Sequence, residues 1–183
     1  MRQVILSSGH STNPNGDRGA KGINDVWEGD LTVEIRDLVF EDLKQLGVIA
    51  KIDDNKNALA QTLSFFKSLM TGKNIAIDFH WNSFNSVANG CEVIVPNNPS
   101  SFERLLGTEL LINICKAGLF RNRGLKTEGQ TARKLLGWMR PPCENILIEM
   151  CFIDNRQDML LYNANKVAIS KTIARTIQKY VNS

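Results

Sequence analysis

Apolar residues in this chain follow two rhythms that alternate along its length. Gln3 to Leu6 is a short apolar run closed by Ser-Ser-Gly, which reads as a buried strand. From there the pattern changes: Leu31, Ile35, Leu38, Val39, Leu43 and Leu46 share one helical face, and Gly47 stands where that helix would end. "VIAKI" is a second strand, and Leu59, Leu63, Phe66 and Met70 repeat at helical spacing until Gly72. "NIAIDFH" is a third strand. "GCEVIVP" is a fourth, bounded by Gly90 and by Pro96, which cannot donate to a ladder. Ser100 and Glu103 have the capping-box spacing, and Phe102, Leu105, Leu106 and Leu110 continue the helix they would open. Residues 121–145 are polar and carry Gly124, Gly129, Pro141 and Pro142, so they read mainly as loop. "NILIEMCFI" is the last strand, and Leu160 onward, with Ile169, Ile173, Ile177, Tyr180 and Val181, makes a terminal helix.

Strands separated by helices favour a parallel arrangement, because a parallel crossover needs about a dozen residues or more. The expected fold class is α/β: a mostly parallel twisted sheet of five or six strands with helices on both faces. At 183 residues and 43% hydrophobic composition, the chain suits one core, and residues 1–183 are expected to form a single catalytic domain. In such sheets functional groups gather at the carboxyl ends of the strands. His10 follows the first strand, His80 ends the third, and Glu149 lies near the end of the last.

Charge alters this picture little. The 22 basic and 19 acidic side chains leave a formal net charge of +3 with no long like-charge run, so the basic residues read as a solvated face. No nucleic-acid partner is expected. Cys91, Cys115, Cys143 and Cys151 form no CxxC pair and sit mostly in apolar runs, as reduced, buried thiols do. The opening "MRQVILSSGH" has too short an apolar stretch for a signal peptide or a membrane span. Cytoplasmic synthesis without integral membrane contact is the expectation.

The two histidines raise the question of a metal. Catalytic zinc takes three nitrogen or oxygen ligands and keeps one position open for water. His10 and His80 with one carboxylate would meet that requirement. Glu28 suits best, since the loop "STNPNGDRGAKGINDVW" can fold it back toward His10, whereas Glu34, further along the helix, would face solvent or a basic neighbour. Ordinary loop or core roles for the histidines stay open at this point. Glu149 is the sharper clue: "ILIEMCFI" places a carboxylate inside an apolar strand, where it needs either a function or a buried salt bridge. Gly16, Gly19 and Gly22 do not make a phosphate loop, because Lys21 is followed by Gly22 rather than Ser or Thr. No GxSxG, HExxH or paired CxxC is present.

Together "SSGHS", "DRGAKG" with "WEGDL", "DFHWNS" and "ILIEMCFIDN" resemble the four ordered motifs of the zinc-dependent N-acetylmuramoyl-L-alanine amidases of the Amidase_3 type, over residues 8–155. That resemblance implies zinc as cofactor, with His10, Glu28 and His80 as its ligands and Glu149 as the catalytic acid and base. Arg123, in "RNRGLK", is implied on the substrate side, and Asn82, two residues beyond His80, is expected to hydrogen-bond the substrate or to orient a ligand. The chain departs from the family pattern at Ser11-Thr12, where a glycine pair is usual. Asp78-Phe79 stands in place of Ser-Ile, and Cys151 in place of Gly.

The implied activity is hydrolysis of the amide between N-acetylmuramic acid and L-alanine, with peptidoglycan as partner. A monomeric, endolysin-like enzyme that acts on the cell wall after release is the expected setting. Trp27, Trp81 and Trp138 are either cleft aromatics or ordinary core residues. Two other readings remain: a zinc peptidase or carboxypeptidase acting on stem peptides, and a non-catalytic wall-binding module.

Overall fold

The computed structural model describes residues 2–182. Its strands are β1 (Val4–Ser7), β2 (Ala50–Ile52), β3 (Ile75–Asn82), β4 (Cys91–Val95), β5 (Asn122–Thr127) and β6 (Glu144–Phe152). Its helices are α1 (Glu28–Gln45), α2 (Leu59–Phe66), α3 (Ser101–Gly118) and α4 (Arg156–Tyr180). One six-stranded sheet runs in the order β2-β1-β3-β6-β4-β5. The pairs β1–β2, β1–β3, β3–β6 and β4–β5 are parallel, and β4–β6 is antiparallel. The reversal has a simple cause. Only residues 83–90 join β3 to β4, too short a stretch for a parallel crossover.

Alternation along the strands sorts side chains to two faces. Val4, Leu6, Ile75, Ile77, Phe79, Val93, Ile146 and Ile148 pack against Leu31, Ile35, Val39 and Leu43 of α1, Leu106 and Leu110 of α3, and Ile169, Ile173 and Ile177 of α4. Each fully buried aliphatic side chain contributes about 1.5–3 kcal/mol, so this face holds most of the fold's apolar stabilisation. The opposite face is thinly covered. There Ile5, Ala76, Ile94 and Leu147 meet Phe66 of α2, Met70, and Trp138 and Met139 of a short 3-10 turn.

Ser100 caps α3, its hydroxyl accepting from Glu103 N while the Glu103 carboxylate accepts from Ser100 N, as the spacing predicted. Helix α4 begins at Arg156, four residues ahead of the expected start at Leu160, because the Asn155 side chain accepts from Asp158 N. Residues 121–145 are not all loop: β5 occupies Asn122–Thr127 at the sheet edge and pairs only with β4. Its polar side chains and Gly124, at φ +98°, gave no strand signal. The cysteines are free, and Cys91, Cys115 and Cys151 are buried. Among the described residues no helix is long and apolar enough to cross a membrane.

Candidate metal centre

The sheet's thinly covered face opens into a cleft of about 490 Å³ at the carboxyl ends of β1, β3 and β6. Asp78 and His80 point into it because Ile77, Phe79 and Trp81 take the other face. His80 is paired in register with Glu149 on β6, and Glu149 with Glu92 on β4. Three ionisable side chains therefore stand abreast on neighbouring strands. His10 arrives on the loop after β1, and Glu28 on the first turn of α1, where a carboxylate favours the helix dipole.

Glu28 sits between the two imidazoles. Its Oε1 lies 3.4 Å from His10 Nε2 and 3.2 Å from His80 Nδ1. Backbone N–H groups hold it there: Trp81 N donates to Oε1 at 3.0 Å and Ala20 N to Oε2 at 2.9 Å. Burial pushes the Glu28 carboxyl up, but the His80 hydrogen bond, the His80 and His10 charges and the Ala20 N–H outweigh it, so its pKa falls below the ordinary value.

The potential ligand atoms of His10, Glu28 and His80 all lie within 4.8 Å of one another. Ligand atoms about 2.0–2.1 Å from a tetrahedral zinc stand about 3.3–3.5 Å apart, close to the separations of the two imidazole nitrogens from Glu28. Donor types and spacing thus fit a divalent ion. The loops are shaped to the same end. A Cβ at Gly19, which has φ +71°, would stand 2.5 Å from Glu28 Oε2 and 2.7 Å from His10 Cδ2, so only glycine lets that loop close over the ligands.

Glu149 forms the floor of the cleft. No basic group pairs with it among the described residues, which removes the buried salt bridge as its explanation, and its Oε2 is buried without a hydrogen-bond partner. Burial raises its pKa to about 7; His80 opposes that rise, while Glu28, Glu92 and Asp78 add to it. Glu34 stays out of the site, accepting from Tyr162 Oη at 3.0 Å and pairing with Lys166.

Asn82 lines the cleft. Arg123 does not. It donates to Glu92 Oε2 at 2.8 Å and lies over the Phe152 ring, and Lys126, which also pairs with Glu92, takes the place on the cleft side. Trp81 and Trp138 are buried core residues that contribute to the cleft lining, whereas Trp27 lies under the Arg18 and Lys21 cations.

Sequence reasoning did not assign Asp78, Glu92, Lys126 or the cleft side formed by residues 130–136. Asp78 carried a usable signal, since "NIAIDFH" buries a carboxylate in an apolar strand just as "ILIEMCFI" does.

A cleft that gathers two imidazoles and two carboxylates beside the strand ends has the donor types to hold a divalent ion and a group to move a proton beside it. The chain belongs to the N-acetylmuramoyl-L-alanine amidase family, whose match runs over residues 4–179. No curated protein matches it in sequence.

Solved structures share the fold. N-acetylmuramoyl-L-alanine amidase AmiC2 of Nostoc punctiforme is 22% identical at a TM-score of 0.82, covering 100% of this chain and 98% of that one. The catalytic domain of the amidase CwlV from Bacillus (Paenibacillus) polymyxa is 20% identical at 0.78, with 100% and 99% covered. The catalytic domain of an endolysin targeting Clostridia difficile is 19% identical at 0.74, with 98% of each covered.

Proposed function

We propose that this chain hydrolyses the amide between N-acetylmuramic acid and L-alanine in peptidoglycan, with zinc held by His10, Glu28 and His80 and with Glu149 as the acid and base. Family membership supports the reaction, and the spacing of the three ligands supports the metal. The endolysin-like fold supports a lytic role against the cell wall.

A bound divalent ion supplies Lewis-acid polarisation of the scissile carbonyl and makes water a stronger acid. The protein's own part is to place and move protons. Glu149 takes the proton of the attacking water and returns it to the nitrogen of the leaving L-alanine. Burial lifts this carboxyl above the ordinary range, to about 7 in the metal-free chain, and so favours its taking and returning a proton. Glu28, fixed by two backbone N–H groups, keeps its carboxylate aimed between the imidazoles. Asn82 is the candidate for orienting the substrate within the cleft. Arg123 acts indirectly, by tying down Glu92 beneath Lys126.

One observation carries the reading: a glutamate whose Oε2 is buried without a hydrogen-bond partner, side by side in register with a histidine of the His10–Glu28–His80 cluster. Mass spectrometry of fragments released from purified peptidoglycan tests it. Stem peptides beginning with L-alanine, released by zinc-loaded protein and not after chelation, are expected. Cleavage within the stem would instead make the chain a peptidase, and binding without cleavage a wall-binding module.

A further inference from the structure

Each histidine of the cluster has one ring nitrogen facing Glu28 and the other facing an aspartate, but the two aspartates differ. Asp17 Oδ1 lies 3.3 Å from His10 Nδ1 without hydrogen-bond alignment, and its side chain is 71% exposed. Asp78 Oδ2 lies 3.1 Å from His80 Nε2 within hydrogen-bond geometry, and its side chain is 2% exposed.

The Nε2 side of the His80 ring is also closed by backbone. Gly9, at φ +61°, passes so near that a Cβ there would stand 2.6 Å from Nε2 and 2.4 Å from Phe79 O. An ion cannot approach His80 from that side. Only Nδ1, aimed at Glu28, is free to meet it.

Building on the metal-centre reading, we propose that Asp78 is a positioning residue for that centre: its carboxylate accepts the Nε2–H of His80, fixing the tautomer that leaves the Nδ1 lone pair for the ion. Two features distinguish this role from simple structural support. Asp78 Oδ1 is buried without a hydrogen-bond partner, so the carboxylate is a poor contributor to stability for its own sake. And a carboxylate behind a metal-binding imidazole sets its orientation and basicity, with losses of about 10- to 100-fold in metal affinity when it is removed.

The experiment measures zinc affinity by competition with a chromophoric chelator for the parent, Asp78→Asn, Asp78→Ser and Asp17→Asn. It adds nitrogen-15 spectra of the imidazoles, which only His10 and His80 contribute. Asp78→Ser is expected to bind zinc about 10- to 100-fold more weakly and to lose the His80 Nε2–H signal of the loaded parent, whereas the isosteric Asp78→Asn, which keeps an acceptor oxygen without the charge, is expected to keep the signal and to weaken binding less. Asp17→Asn is expected to change affinity less than either, and unfolding of the metal-free Asp78 variants is expected to show no loss of stability.

Equal affinity of parent and Asp78 variants would overturn the assignment while leaving the metal centre intact, as would equal losses from Asp17→Asn and Asp78→Asn. Loss of affinity that merely follows loss of fold would reduce Asp78 to a structural group. A parent that binds no zinc would overturn the metal-centre reading itself.

Discussion

The two faces of the sheet are built from the same strands and behave as different materials. On one, β3 contributes Ile75, Ile77 and Phe79 to a dry layer sealed by three helices of 18, 18 and 25 residues. On the other, Ala76 is followed by Asp78 and His80, and the only α-helix among the described residues is the 8-residue α2. Alternation lets one strand serve both, so each face can be disturbed with little effect on the other. Charges accumulate where cover is thin: Glu28, Asp78, Glu92 and Glu149 all line the cleft.

The comparison predicts different failures. Glu149→Gln is expected to lower stem-peptide release by about 10²–10⁴-fold, the range of general acid–base catalysis, with zinc still bound and the circular dichroism spectrum unchanged. Ile77→Ala, on the sealed face, should lower unfolding stability by about 2–5 kcal/mol in denaturant titrations while the folded fraction binds zinc as before. Zinc affinity lost in proportion to that stability would show that the two faces are coupled after all.

A pH titration sharpens the contrast. Because burial raises Glu149 from 4.5 to about 7 in the folded chain, the folded state keeps a proton that the unfolded state has released. Its contribution is complete below about pH 4.5 and is lost as pH rises through about 7. The metal-free parent should therefore lose about 2–3 kcal/mol relative to Glu149→Gln between pH 5 and pH 8, measured by urea unfolding at each pH. Parallel curves for the two proteins would show that Glu149 has no raised pKa. Smallest of all, Leu135→Ala on the exposed cleft side should shift stability by no more than about 0.5 kcal/mol.

The sealed face was the more legible in the sequence. Runs such as "NIAIDFH" and "NILIEMCFI" state their own burial, and the helical repeats state which side meets the sheet. The other face depends on approaches between residues far apart in the chain. Nothing near Gly19 announces that Glu28 and His10 lie against it, and nothing near Gly9 announces His80. That His10, Glu28, His80 and Glu149 come together in one cleft was legible, because strand ends and motif order bring them there. Arg123 was read as a substrate-side residue, yet its guanidinium turns to Glu92, a contact across 31 residues that local pattern does not carry. Strand β5 escaped notice because an edge strand with polar side chains lacks the apolar signature of the strands inside the sheet.

That polar edge has a consequence for how molecules of this chain meet one another. An open sheet ends in unpaired N–H and C=O groups, a template on which a second molecule's strand can add. Here one end is the 3-residue β2 with Lys51 exposed, and the other is β5, bent at Gly124 and carrying Arg123 and Lys126. Short length, bending and positive charge are the features that discourage such addition. The basic residues that neutralise Glu92 thus also stand on the edge where edge-to-edge stacking of two sheets would begin.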